Sequence, residues 1–223
     1  MRVLLCDDPD YPDRLRRSAG APPNLFYKGP IGLLNDHAIG VCGSRNASAE
    51  GLRAAFTCGE DGARAGVVVV SGYAKGVDAQ AHVAALKSGG STVAVLAEGI
   101  DHFRPKQQFQ GLENAMDARM LVLSQFPPAQ RWTVGAAMTR NQVVVGISAA
   151  LVVIEAGDTG GTLKAGEIAL RGGRAVFVLE TGQQSAGAEK LLAAGARLIK
   201  NRAQLFEEFG RLGTDLTPQL PLG

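Results

Sequence analysis

From residue 37 onward, short β-branched apolar runs alternate with alanine-rich stretches. The runs cover residues 37–42, 67–71, 92–96, 120–124, 151–155 and 175–179. Val67-Val68-Val69-Val70 shows the type. It is continuously apolar, as in a strand covered on both faces. Between the runs, small and apolar residues fall at helical spacing. Leu52, Ala55, Phe56, Gly59 and Ala63 form one stripe, with Arg53, Glu60 and Arg64 elsewhere on the wheel and Ser48 placed as N-cap. Residues 79–86, 108–117, 163–170, 188–193 and 203–209 read as further helices. The valine-rich stretch 138–148 reads as a buried helix, because 151–155 follows at once as the better strand. This alternation predicts an α/β fold with a doubly wound, mostly parallel sheet and helices on both faces.

The ends differ. Tyr11-Pro12 starts a short helix through Arg17, Ala21-Pro22-Pro23 ends it, and Leu25-Phe26-Tyr27 suits an edge strand. Residues 1–36 are expected to be an extension packed on the main domain, 37–210 the domain itself, and 211–223 a flexible tail.

Composition narrows the function classes. Glycine is abundant at 29 residues and aromatics are only 5%, which suits many tight strand-to-helix turns. The net charge is +2, too small for a protein that coats DNA through its overall charge. Any nucleic-acid site must be a local patch. Cys6, Cys42 and Cys58 form no CxxC pair, so no metal site is expected and reduced thiols of a cytoplasmic protein are the simplest reading. Val3-Leu4-Leu5-Cys6 is too short for a signal core, and no run reaches membrane-spanning length, so a soluble protein is expected.

In a parallel sheet the carboxyl ends of the strands share one edge, and ligands bind there where strand order reverses. The loops after the strands are therefore informative. They are Gly43-Ser44-Arg45, Ser71-Gly72-Tyr73-Ala74-Lys75-Gly76-Val77-Asp78, Glu98-Gly99-Ile100-Asp101, and Gly157-Asp158-Thr159-Gly160-Gly161-Thr162. Glycines let a backbone approach a ligand, following helices add partial positive charge, and Arg45 adds a planar fork for phosphate oxygens. Arg140, with Asn141, is placed near a helix start facing the same crevice. Each loop alone is weak; four converging loops point to a phosphorylated ligand. No Walker A pattern and no GxGxxG after a strand occur, which disfavours ATPase and dinucleotide readings. No catalytic residue and no cofactor are assigned. Glu155 suits a general base, a ribose contact or a structural role. His82 lies one turn after Asp78, which suits a structural hydrogen bond between them. Trp132 and Phe126, flanking Pro127-Pro128, suit a packed loop better than base stacking.

The order and spacing of Gly43-Ser44-Arg45, the 71–78 loop, Ala81-His82, Arg140-Asn141, Gly146-Ile147-Ser148 and Glu155-Ala156 resemble the DNA-processing protein A (DprA, or Smf) family. Tyr11-Pro12, residues 22–29, and Ser185-Ala186-Gly187 with Leu191-Leu192 and Gly195-Ala196 extend the resemblance over roughly residues 11–200. The chain departs from it at Gln125, Gln142, Glu180 and Glu189. The resemblance implies an extended Rossmann-like domain that binds single-stranded DNA, loads RecA and dimerises, with a part in natural transformation. By position it implies phosphate contacts from Arg45, Lys75 and Arg140. Gly43, Ser44, Ser71 and Gly72 would shape the pocket, and Asn141 would support it. The strand-end loops add Thr159, Gly160, Gly161 and Thr162 to the candidate phosphate-binding residues. As exposed charges, the three cations should each contribute no more than about 1 kcal/mol to folding. The apolar stretch around Leu191, Leu192 and Leu198 suits a homodimer interface. Two alternatives belong to the same broad fold: a nucleotide-sensing domain and a LOG-type nucleotide phosphoribohydrolase. For the latter, Ala165 stands where the catalytic glutamate belongs, and Glu167 lies on a different helix face.

Overall fold

The computed structural model of the chain describes residues 1–182 and 185–214. Its strands are β1 (Arg2–Leu5), β2 (Asn24–Lys28), β3 (Ala38–Gly43), β4 (Val68–Ser71), β5 (Thr92–Val95), β6 (Met120–Ser124), β7 (Ala150–Ile154), β8 (Ala175–Leu179) and β9 (Arg197–Ile199). Its α-helices are α1 (Asp13–Arg16), α2 (Ala49–Arg64), α3 (Val77–Lys87), α4 (Glu113–Arg119), α5 (Val134–Ile147), α6 (Gly161–Arg171), α7 (Ala186–Ala193) and α8 (Arg202–Thr214). All the strands join one sheet in the order β1-β2-β6-β5-β4-β3-β7-β8-β9. From β6 to β9 neighbouring strands run parallel, while β2 pairs antiparallel with both β1 and β6. The chain winds from β3 through β4 and β5 to β6, then returns to lay β7 on the other side of β3. The order therefore reverses between β3 and β7, and that is where a crevice opens at the carboxyl edge.

Each central strand feeds two cores, which is why it reads as continuously apolar. Val68 and Val70 of β4 pack on one side, and Val69 packs on the other. Likewise Leu151 and Val153 of β7 join the first core, while Val152 and Ile154 join the second. The first core is closed by Leu15, Val143, Val144, Leu163, Ala188 and Leu191, so α1, α5, α6 and α7 cover that face. Ala55, Cys58, Ala81, Ala85, Leu205 and Phe209 close the second under α2, α3 and α8. Small residues set the spacing between helices there. A Cβ on Gly59 of α2 would stand 2.3 Å from the Ala81 carbonyl oxygen of α3.

The predicted α/β class, the parallel sheet and the core strands are present, with ends shifted by one residue at most. Other expectations are corrected. The Leu25-Phe26-Tyr27 strand is not at the edge, because β1 pairs with its outer side. The helix expected over 108–117 is split into a 3₁₀ turn at Gln107–Phe109 and α4. Gly111 between them has a φ of +79°, which a continuous helix cannot contain. Arg211–Thr214, expected in the tail, belong to α8; residues 215–223 lie outside the described residues. Leu191 is fully buried, with its methyl groups against Gly166 of α6, so it offers nothing to an interface. Cys42 and Cys58 are buried, while Cys6 is half-buried. Burial pushes the Cys42 thiol up to about 12, which keeps it protonated and unreactive.

His82 bonds to Thr92, not to Asp78. The Thr92 hydroxyl donates to the Val69 carbonyl at 2.6 Å, so it accepts the His82 Nδ1 proton at 2.5 Å. Among the described residues Nε2 of the same ring is buried without a hydrogen-bond partner. Burial and the charges of Lys106 and Arg140 hold the imidazole down to about 3. An unfolded histidine titrates near 6.5. Below that pH the unfolded chain takes up a proton that the folded chain refuses. The stabilisation is therefore complete above about 6.5 and lost as pH falls toward 3, at about 1.4 kcal/mol per pH unit. Urea unfolding at a series of pH values should show this slope in the wild type and a flatter one in His82→Gln. Identical slopes would mean that the ring is protonated in the folded protein.

Candidate nucleic-acid interface

At the carboxyl edge, beside the β3–β7 switch, lies a cleft of about 390 Å³. Gly43, Ser44, Arg45 and Asn46 form one wall, and Gly157, Thr159, Gly160, Gly161 and Thr162 form another. Trp132, Val134, Ala137 and Met138, at the start of α5, complete it. Of the residues singled out in the sequence, Gly43, Ser44, Arg45, Arg140, Asn141, Thr159, Gly160, Gly161 and Thr162 line the cleft. Ser71, Gly72 and Lys75 do not. The Ser71 hydroxyl is buried and donates to the Val41 carbonyl at 2.6 Å, tying β4 to β3. Lys75 is exposed on the β4–α3 loop.

The first wall is shaped by close backbone approach. A Cβ on Gly43 would meet the Ile154 carbonyl oxygen at 2.5 Å, so β3 and β7 stay tight to their ends only with glycine there. Gly76, with a φ of +79°, lets the following loop press on the Ser44 carbonyl, where a Cβ would come within 2.4 Å. The Val77 amide donates to that carbonyl at 3.2 Å and fixes the turn. Among the described residues two non-glycines have left-handed backbones, Tyr73 (φ 55°) and Glu155 (φ 54°), and they follow the ends of β4 and β7. Strain of this kind costs on the order of 1–3 kcal/mol per residue and needs a surrounding structure that enforces it.

The second wall is the amino end of α6. Gly160 precedes it with a φ of +101°, and among the described residues no side chain caps its first turn. Asn141 Nδ2 donates to the Gly161 carbonyl at 2.9 Å, and the Thr162 hydroxyl donates to the Gly43 carbonyl at 3.1 Å. These two bonds lock the first turn of α6 against β3 and α5. Its free N–H groups and the helix dipole then face the cleft as a fixed partial positive charge. The α2 end is different. Glu155 accepts from the Ser48 amide at 2.9 Å and from the Ser48 hydroxyl, which itself caps Gly51. Glu155 is thus a tie between β7 and α2, not a free base.

Arg140 departs most from expectation. It sits mid-helix in α5 and is 5% exposed. Nη1 donates to the Val95 carbonyl at 3.2 Å and lies 3.9 Å from Asp78 Oδ2. Gly72 is what admits it, since a Cβ there would stand 1.2 Å from Nη1. Asp78 also accepts from the Ala74 amide at 3.2 Å, so the pair fixes the β4–α3 loop. Burial lowers the guanidinium pKa and the Asp78 carboxylate counters that fall. Arg140 thus forms the charged floor of the cleft, not an exposed arm.

Arg45 is the exposed cation. Its guanidinium carbon lies 5.4 Å from the centre of the Trp132 ring, in cation–π range. Trp132 is 45% exposed, just before the Thr133 cap of α5. That loop is tied down from Pro128 to Gln130, whose carbonyls accept from the Asp101 amide at 3.1 Å and the Gly99 amide at 2.8 Å. The tryptophan lies beyond it and lines the cleft. The signal in the sequence was its position next to a helix cap, Trp132-Thr133, rather than next to the prolines.

Fold and cleft together define a doubly wound α/β protein with a crevice at its switch point, lined by Arg45 and the start of α6. The family model for DNA recombination-mediator protein A matches residues 2–210, and the chain belongs to that family. It is 35% identical over 205 residues to the DNA processing protein DprA of Streptococcus pneumoniae, covering 91% of this chain and 72% of that protein. It is 33% identical to Protein Smf of Synechocystis, covering 95% of this chain and 54% of the relative. The X-ray structure of the Streptococcus pneumoniae protein superposes with a TM-score of 0.83 at 33% identity, covering 93% of this chain and 74% of that one. The fold is shared with the DNA processing protein A of Helicobacter pylori, described for its single-stranded DNA binding mode (TM-score 0.82, 22% identity, 95% and 97% covered).

Removing one member of a buried pair leaves the other charge stranded, at a cost of about 3 kcal/mol or more. Arg140→Ala should therefore destabilise the fold by that order in urea unfolding. Gly72→Ala should do the same by displacing the guanidinium. Arg45→Ala should change stability by about 1 kcal/mol at most. Wild-type stability in Arg140→Ala would return Arg140 to the role of a free ligand-facing cation.

Proposed function

We propose that the chain binds single-stranded DNA in the carboxyl-edge cleft and acts in DNA processing and recombination. The observation that carries the reading is the pairing of Arg45 with a half-exposed Trp132 opposite the uncapped start of α6. A tryptophan face takes an unstacked base of any sequence, while a guanidinium and helix N–H groups take the neighbouring phosphates. Bases in a duplex are already stacked on each other, so the platform favours single strands. The relatives named above support the same reading. It involves no chemical step by the protein. Ala165 is buried in the core and Glu167 faces Arg171 at 3.9 Å, so neither brings a carboxylate to the cleft for glycosidic hydrolysis. The size of the cleft favours one second reading, a single nucleotide, since small-ligand pockets begin at about 300 Å³.

The family resemblance extends the proposal to a homodimer, to RecA as partner and to a cytoplasmic location. Among the described residues no helix is long and apolar enough to cross a membrane. Light scattering at tens of micromolar checks the dimer; a monomer there would reject it.

Fluorescence anisotropy with an oligo-thymidylate, a duplex and a nucleotide panel over a salt series tests the main reading. Single strands should bind more tightly than duplex at moderate salt. Arg45→Ala should flatten the plot of log K against log salt by about 0.7. Trp132→Ala should cost about 1–3 kcal/mol with the slope unchanged. Equal affinity for single and double strands would count against the reading, and binding of a nucleotide but not of DNA would favour the second one.

A further inference from the structure

A second cavity, of about 1160 Å³, lies at the opposite edge of the sheet. It runs between α1, the segment leading into β3, and the C-terminal ends of α5 and α6. α5 and α6 thus connect the two sites: Arg140 and Asn141 of α5 face the cleft, whereas Gln142 and Val145 face this groove. Helix α5 has 14 residues and so spans about 21 Å. The groove is a separate site, not an extension of the cleft.

Its floor holds two half-buried arginines, Arg14 of α1 and Arg174 just before β8. Among the described residues neither guanidinium has a hydrogen bond or an ion pair. The neighbouring charges are otherwise engaged. Asp13 pairs with Arg16 and, at 4.0 Å, with Arg17; Arg171 pairs with Glu167 at 3.9 Å. Asp36 at the rim is exposed. Burial lowers the pKa of both guanidinium groups, and the charge of Arg14 lowers that of Arg174 further. Two like charges partly withdrawn from water, with no carboxylate between them, are poorly placed unless an anion joins them. The helix C-termini give arginines there a second use, through the dipole. That use calls for one exposed cation per helix end, a role Arg171 already fills for α6. It does not call for two half-buried arginines lining one groove. Tyr11, which lines the groove, is 1% exposed and donates to the Pro22 carbonyl, so its ring offers no face to a base.

We propose that Arg14 and Arg174 form a second anion site, which takes phosphate oxygens independently of the carboxyl-edge cleft. The shared chemistry is a phosphodiester of a nucleic-acid strand or a free polyphosphate. Arginine forks fit such oxygens two at a time, and the groove has room for several phosphates in a row.

Isothermal titration of the full chain with sodium tripolyphosphate, and anisotropy with a 30-nucleotide oligo-thymidylate over a salt series, test this. The variants are Arg14→Ala, Arg174→Ala, the double lysine R14K/R174K, and Arg45→Ala, each checked for folding by its thermal melt. A free-polyphosphate site reads as tripolyphosphate binding in the wild type and in Arg45→Ala, weakened at least tenfold by either alanine and partly kept by the lysines. A strand site reads as a salt slope for the oligonucleotide reduced by about 0.7 per alanine variant, with Arg45→Ala adding its own reduction. If an alanine variant fails to fold, Arg14→Gln or Arg174→Gln replaces it. Tripolyphosphate binding that is absent, or equal in the wild type and both alanine variants, together with an unchanged oligonucleotide slope, overturns the proposal. Because Arg45→Ala is carried throughout, failure of the groove and failure of the cleft give different patterns.

Discussion

The guanidinium of Arg140, buried beneath the cleft against the Gly72 backbone, is the constraint on which the binding edge depends. Through one carbonyl and one carboxylate it joins β5, the β4–α3 loop and α5. A charge so placed cannot be released cheaply, because its partner Asp78 would stay behind in a dry site. The neighbouring Asn141 then reaches from the same helix to the first turn of α6. Two consecutive residues of α5 thus fix the floor and the second wall, and the N–H groups at the start of α6 are set in place before any ligand arrives. Such preorganisation reduces the ordering cost of binding.

Close approach of backbones supplies the rest. Gly43, Gly72 and Gly76 each stand where a single methyl would overlap a carbonyl oxygen or the guanidinium. The glycine-rich loops are therefore needed first for packing at the switch point. Exposure of their N–H groups to a ligand follows from that packing. Meanwhile the carboxylates nearest the cleft are committed: Asp78 to Arg140, and Glu155 to Ser48. Arg45 and the start of α6 are left as the positive features facing outward. A chain with a net charge of only +2 can in this way present a local positive patch.

The central sheet was legible because residues such as Val67–Val70 are apolar on both faces, a pattern with few alternatives. Strand β9, three residues long, and β1, with one buried side chain, carry too little pattern to be read alone. At the site, the sequence located the loops but not the direction of each side chain. Lys75 and Arg140 look equivalent in a motif. One is exposed and outside the cleft and the other is buried beneath it, a difference that depends on Gly72 and Asp78 meeting across the fold. The prolines before Trp132 suggest a packed loop, yet the bonded part of the loop ends at Gln130 and the tryptophan lines the cleft. The Arg14 and Arg174 pair is 160 positions apart and carries no motif; only the folded chain brings it together.

Hydrogen exchange of the full chain with and without a saturating oligo-thymidylate tests the central claim most directly. The account predicts slowed exchange at the backbone amides of residues 43–46 and 157–163, the two walls of the cleft. Protection elsewhere on the sheet with these two segments unchanged would contradict it.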